Sequence, residues 1–165
     1  MPLQGKGPFR SAYKLISSIT LCLGTGMAGS FFTRASLSDW YMSLRKPWFT
    51  PPGWLFGPVW TILYIMMGIA LYLVWADPRK GLFRRRALWS FGVQLLLNFA
   101  WSLAFFGLRS PMLGLAVILA LLISIAVTIY YFRIVSRTAA FLLYPYLLWV
   151  IFATFLNLSI WKLNL

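Results

Sequence analysis

Trp54–Ala76, WLFGPVWTILYIMMGIALYLVWA, is a run of 23 residues without a single charge. About 20 predominantly apolar residues cross the hydrocarbon core of a bilayer as an α-helix. A single segment has no other regular form open to it there, because lipid offers no partners for backbone N–H and C=O groups. Four more uncharged runs accompany it: Leu15–Phe32 (18 residues), Ala87–Phe106 (20), Met112–Phe132 (21) and Ala139–Trp161 (23). The alternating pattern of an outer-membrane barrel strand is absent. The sequence therefore reads as an all-α membrane protein, one domain over residues 1–165 built as a bundle of five transmembrane helices. Their expected bounds are about 12–33, 54–76, 84–106, 111–132 and 138–161. The first run follows a basic segment, as a signal peptide would. It is long for one, and no small-residue cleavage site with a soluble domain behind it appears, so it counts as the first helix.

Composition agrees. The chain is 61% hydrophobic and only 10% charged, where a soluble globular chain is about a quarter charged. Fifteen basic residues against two acids give a net charge of +13. That balance is not read as nucleic-acid binding, because the cations sit in short loops and termini between apolar runs, where topology signals lie. Ten fall on one side: Lys6, Arg10 and Lys14, then Arg79, Lys80 and Arg84–Arg86, then Arg133 and Arg137. Five fall on the other: Arg34, Arg45, Lys46, Arg109 and Lys162. The positive-inside rule then places the N-terminus in the cytoplasm, and the expected location is a bacterial cell membrane. The Arg84–Arg86 run suits contact with anionic lipid headgroups. Cys22 stands alone, so no internal disulfide forms.

Several chemistries lack their residues. The chain has no histidine, and its acids are Asp39 and Asp77, both in loops. No cluster with metal-ligand spacing exists, and neither a metal nor a cofactor is expected. No carboxylate pair or Ser/His/Asp set supports hydrolysis, so no catalytic residue is assigned from the residue pattern. Proton-coupled transport usually relies on acids or bases inside the membrane, which these runs lack.

The chemistry that remains is aromatic, with a few amides. The loop at 34–53 is rich in aromatics and proline: Trp40, Tyr41, Pro47, Trp48, Phe49, Pro51 and Pro52. Two readings stand, a structured lid or an interfacial aromatic belt. Gln94, Asn98, Trp101 and Phe105 form one stripe of the third helix, while Phe56, Trp60, Leu63 and Met67 recur at similar spacing on the second. The fifth presents Trp149, Ala153, Leu156, Asn157 and Ile160. Buried amides oppose exposure of such a stripe to lipid. The stripes serve either as interhelical glue or as the walls of a ligand cavity. Ala100 and Ala104 form a small-xxx-small pair suited to a close helix–helix contact.

Trp40–Trp54, WYMSLRKPWFTPPGW, resembles the first-loop signature of the translocator protein family, also called TspO, tryptophan-rich sensory protein or peripheral benzodiazepine receptor. Pro58–Tyr64 (PVWTILY), Gln94–Trp101 (QLLLNFAW), Phe105–Gly107 (FFG), Leu143–Trp149 (LYPYLLW) and Phe152–Thr154 (FAT) continue the resemblance in order. It implies a five-helix bundle, often a homodimer, with a pocket under the first loop. The implied ligands are flat hydrophobic molecules: porphyrins such as protoporphyrin IX and haem, sterols, and isoquinoline-type drugs. Carried over by position, Trp60, Asn98, Trp101, Trp149, Ala153 and Leu156 belong to the pocket, and Tyr41, Pro51 and Pro52 to the lid. The resemblance suggests a tetrapyrrole receptor or sensor. Its rivals are a light- and oxygen-dependent porphyrin-degrading enzyme acting through Trp60 and Trp149, and a transporter of the same ligands. Arg45 and Lys46 are the first-loop cations able to meet porphyrin propionates at the mouth. Two departures stand out. Phe49 occupies a position where the family signature usually carries tryptophan, and Leu158 and Ser159 interrupt the vertebrate sterol motif before Lys162. A formal match to that motif occurs instead at Val127–Arg133.

Overall fold

Each uncharged run forms a helix that satisfies its own backbone, and short connections make successive helices antiparallel. The computed structural model describes residues 8–165 except 38 and 80. Lys6, Lys80 and the side chain of Arg10, which enter the charge count, lie outside the described residues. The elements are α1 (Pro8–Leu37), α2 (Trp40–Ser43), α3 (Gly53–Ala76), α4 (Leu82–Ser102), α5 (Pro111–Val135), α6 (Arg137–Phe141) and α7 (Tyr144–Leu163). Among the described residues there is no strand, and five stretches are long and apolar enough to cross a membrane. The chain is thus an integral, multi-pass helical membrane protein.

Most bounds shift by a few residues, and three features go beyond the sequence expectation. Helix α1 runs on to Leu37 and is followed by the short α2, so the loop expected at 34–53 is partly helical. The fifth span is two helices, with the break just before Pro145, which has no N–H to give the Phe141 carbonyl. Leu142 and Leu143 close the break, with Leu143 N–H donating to the Ala140 carbonyl at 3.1 Å. The third span ends in a π-helical turn, Leu103–Gly107. There Leu108 N–H reaches back five residues to the Leu103 carbonyl at 2.7 Å. Such a turn admits one extra residue, and it brings Ala104, Phe105 and Phe106 inside together. Ala104 is only 5% exposed within the chain, so the Ala100/Ala104 pair does not form an outward stripe for a second copy.

Helix α1 lies against α3 and α4, α4 against α5, and α5 against α7. Close approaches use small residues. A Cβ on Gly68 would stand 2.7 Å from the Ile19 Cα of α1, and one on Gly114 of α5 would meet Asn157 Oδ1 at 2.9 Å. Helices α3 and α7 meet sparsely, with aromatic side chains filling the seam between them.

Asn98 ties three spans together. The Tyr64 hydroxyl of α3 donates to its Oδ1 at 2.5 Å, and its Nδ2 donates to the Tyr146 hydroxyl of α7 at 2.9 Å. Asn157 is a second hub: it accepts from the Trp101 indole N–H at 3.2 Å and donates to the Pro111 carbonyl at 2.7 Å. At the end where α1 begins, Arg79 holds Asp77 through a 2.9 Å ion pair and donates to the Val135 carbonyl at 2.6 Å. The Arg79 hydrogen bond keeps the Asp77 carboxyl below the usual carboxylate range.

Gln94 sits one turn before Asn98 and is equally buried, yet neither of its amide atoms has a partner. Asn98→Leu, which strands two buried tyrosine hydroxyls, is expected to cost about 1–3 kcal/mol. Gln94→Met, similar in shape and without the unpaired amide, is expected to be neutral or stabilising. Unfolding of both variants in detergent micelles, followed by circular dichroism, checks this. Equal destabilisation by the two substitutions would contradict the assignment.

Candidate functional site: an aromatic chamber under the first loop

The sparse α3–α7 seam, closed on its third side by α4, encloses a chamber. Phe56 and Trp60 face it from α3; Trp101, Phe105 and Phe106 come from α4 and its π-turn. Helix α7 supplies Trp149, Ala153, Leu156, Asn157 and Ile160. Tyr41 of α2 supplies the roof. The free volume is about 30 Å³, roughly the share of one water molecule. Pockets for drug-sized ligands run to about 300–1,000 Å³, so a ligand of that size would fit only if the chamber widened.

Its walls are a connected set of rings. Trp60 stacks on Tyr64 (5.5 Å between centroids, 29°), lies 6.5 Å from Trp101, and meets Tyr146 edge-on at 6.3 Å. Trp101 stacks on Phe105 at 5.7 Å, and Phe105 meets Phe106 at 4.8 Å. On the facing side Trp149 contacts Phe56 at 6.0 Å and Phe152 at 5.5 Å. Asn157 is engaged at both ends of its amide. The indole N–H of Trp149 is different, a buried donor without an acceptor.

The loop over the chamber has an inner and an outer face. Tyr41 rests on Phe106 (5.7 Å), Trp40 on Phe105 (5.5 Å), and Phe49 on Phe152 (6.3 Å). Phe49, where the family signature usually carries tryptophan, thus packs on Phe152 of α7, outside the chamber lining. Trp48 is 95% exposed and points away, as an interfacial anchor does. The segment thus has one face packed on the chamber rings and one face exposed. A turn in which the Thr50 hydroxyl donates to the Pro47 carbonyl at 2.7 Å shapes the stretch before α3. Asn164, just past α7, clamps the loop: its Oδ1 accepts from Arg45 N–H at 3.0 Å, and its Nδ2 donates to the Arg45 carbonyl at 2.9 Å.

Of the residues expected from sequence, Tyr41, Phe56, Trp60, Trp101, Trp149, Ala153 and Leu156 come together on this one chamber. Asn98, Pro51 and Pro52 are not in its lining. The Asn98 amide is taken up by two tyrosines, and Pro52 is the exposed residue immediately before α3. Lys46 turns back on the loop, donating to the Met42 and Leu44 carbonyls with its ammonium 4.8 Å from the Tyr41 ring. Phe105, Asn157 and Ile160 lay on the stripes read from sequence but were not assigned to the site, and Phe106 lay on neither. Phe106 faces inward only through the π-turn, which helical spacing does not reveal. The formal sterol-motif match at Val127–Arg133 has Tyr130 exposed on the outside of α5 and adds nothing to the chamber. A larger trough, about 580 Å³, lies between α1 and α4 along Gly24, Ala28, Gly92 and Leu96. It is open to the surroundings and mostly apolar, with no unpaired buried donor in its lining.

Known proteins resemble this chain over most of its length. The sequence model of the TspO/MBR family matches residues 18–162. The chain is 49% identical over 151 residues to the tryptophan-rich protein TspO of Archaeoglobus fulgidus, covering 92% of this chain and 97% of that protein. It is 43% identical over 142 residues to the translocator protein of Homo sapiens, covering 82% and 81%. It is 36% identical over 126 residues to the tryptophan-rich sensory protein of Cereibacter sphaeroides, covering 76% and 77%. Over residues 18–162, from the first helix to the last, this chain belongs to the TspO/MBR family.

Proposed function

We propose that this protein is a membrane receptor for flat, apolar ring molecules, porphyrins foremost, with sterols or isoquinoline-type compounds as further ligands. The observation that carries the proposal is a chamber lined largely by tryptophan and phenylalanine, with Trp149, whose buried N–H lacks an acceptor, among its wall residues. Ring faces suit a π-system: an offset or edge contact contributes about 0.5–1.5 kcal/mol beyond the burial of its area. The unpaired indole favours a ligand that brings an acceptor, such as a carbonyl or a carboxylate. A relative named as a sensory protein supports signalling as the outcome of binding.

Binding requires opening. Chamber volume has to grow severalfold, and the segment best able to yield is the loop held by Asn164. Its two hydrogen bonds are exposed, so releasing them costs only about 1–3 kcal/mol together. The cation-rich end, with the N-terminus, is proposed to face the cytoplasm.

Three outcomes are expected. Titration of purified protein with protoporphyrin IX, read through tryptophan fluorescence, should give saturable binding that Ala153→Phe abolishes by filling the chamber. Trp149→Phe, which keeps a ring and removes the donor, should weaken binding about three- to tenfold. Unchanged affinity in the Ala153→Phe protein, with its helicity intact, would remove the chamber as the site. Loss of porphyrin absorbance on illumination, dependent on oxygen and on Trp60, would instead assign degradative chemistry to it. In stopped flow, Asn164→Ala should raise both association and dissociation rates severalfold with little change in affinity. Rates equal to the unsubstituted protein would mean that the clamp does not gate entry. For topology, Cys22 is buried and can stay in place. A cysteine at Ser43 should label with an impermeant maleimide from outside intact bacterial cells, and one at Thr138 should not. The reverse pattern would invert the assignment.

A further inference from the structure

The end of the bundle where α1 begins carries four arginines with nothing to hold. Arg79 is engaged by Asp77 and the Val135 carbonyl, and Arg84 donates to the Asp77 carbonyl at 2.9 Å. Asp77 is the one acid at this end and is already paired. Arg85, Arg86, Arg133 and Arg137 are all exposed, and among the described residues none of their side chains has a hydrogen bond or ion pair. Three segments bring them to one rim: the start of α4, the end of α5 and the start of α6. The Arg79 bond to Val135 holds the first of these connections against the second.

Each of these arginines lies one helical turn outward from an exposed aromatic ring. Trp89, 69% exposed, follows Arg85 by four residues and Arg86 by three. Tyr130, 62% exposed, precedes Arg133 by three, and Phe141, 71% exposed, follows Arg137 by four. Exposed Trp and Tyr mark the level where hydrocarbon meets headgroup. One turn farther out, about 5 Å along the axis, is the layer of lipid phosphates. Guanidinium groups match phosphate oxygens in planar, bidentate fashion. The local electrostatics ask for an anion as well. Helix α4 has no acid in its first turn and no side-chain cap, and arginines occupy the positive end of its dipole, where a cation is unfavourable.

We infer that this rim is a docking surface for anionic phospholipids, with Arg85 and Arg86 on α4 and Arg133 and Arg137 at the α5–α6 corner gripping the phosphate-bearing headgroups. The inference is independent of what the chamber binds. At the opposite end the cations are more dispersed: Arg34, Arg45, Arg109 and Lys162 stand on separate elements or connections, and Lys46 is held by carbonyls. That end serves as the internal control.

The test uses the full chain reconstituted in phosphatidylcholine vesicles, with spin-labelled phosphatidylglycerol or phosphatidylcholine as the probe. The fraction of motionally restricted label gives the relative association constant. Phosphatidylglycerol should be favoured about fivefold or more at low salt, the preference expected when even one arginine contributes, and should lose that preference as ionic strength rises. Replacing Arg85, Arg86, Arg133 and Arg137 by Gln should bring the ratio to near unity. Arg34→Gln with Arg109→Gln and Lys162→Gln should leave it in place. If the four-site protein does not fold, the pairs Arg85→Gln/Arg86→Gln and Arg133→Gln/Arg137→Gln, tested separately, should each lower the ratio. No preference in the native chain, the same preference after the rim substitutions, or equal loss in the opposite-end control would overturn the inference. So would displacement of the lipid by millimolar inorganic phosphate at constant ionic strength, which would mark a site for free phosphate.

Discussion

A polar group inside the bilayer must find its partner within the protein, and in this chain the Asn98 amide does so with two tyrosines from two other helices. Hydrocarbon offers no substitute for those bonds, so Tyr64 of α3, Asn98 of α4 and Tyr146 of α7 have to converge. Asn157 imposes the same condition on α4, α5 and the end of α7. Individual hydrogen bonds between membrane helices contribute modestly, about 0.6 kcal/mol on average. Their importance here is geometric. They set the rotation of each helix about its axis, and with it the identity of the residues that face inward.

The chamber follows from that rotation. With Tyr64 and Tyr146 drawn to Asn98, Trp60 is placed one turn from the first and edge-on to the second. Large rings then hold α3 and α7 apart at this level, where small residues elsewhere let helices close up. The π-turn at Leu103–Gly107 completes the enclosure by turning three successive residues inward. Its walls are side chains and not backbone, so its volume is set by their rotamers and by the loop above.

The two ends of the molecule treat charge differently. Near the start of α1, Arg79 and Arg84 tie loops to helix ends, while Arg85, Arg86, Arg133 and Arg137 are exposed without side-chain partners among the described residues. At the lid end, cations are folded back or scattered, and the fixed contacts are aromatic. The lid is held by ring packing beneath and by one amide clamp at its edge. That clamp is exposed, so its hydrogen bonds contribute less than those of the buried hubs.

Hydropathy and length determined the five spans and their antiparallel order, because the energetic demand of a bilayer acts on every residue of a run and needs no knowledge of neighbours. Helical spacing likewise placed Trp60, Trp101, Trp149, Ala153 and Leu156 on faces able to meet. Spacing assumes an unbroken α-helix, however, and it missed the π-turn that brings Phe106 inward and buries Ala104. It also identified Asn98 as polar and inward-facing without saying which groups would claim its amide. Tyr64 and Tyr146 lie 34 and 48 residues away, and only the packing of three helices decided that they, and not the chamber, would take it. The Asn164 clamp on Arg45 spans 119 residues, a pairing that no local pattern carries because it exists only once the last helix has returned to the level of the first loop.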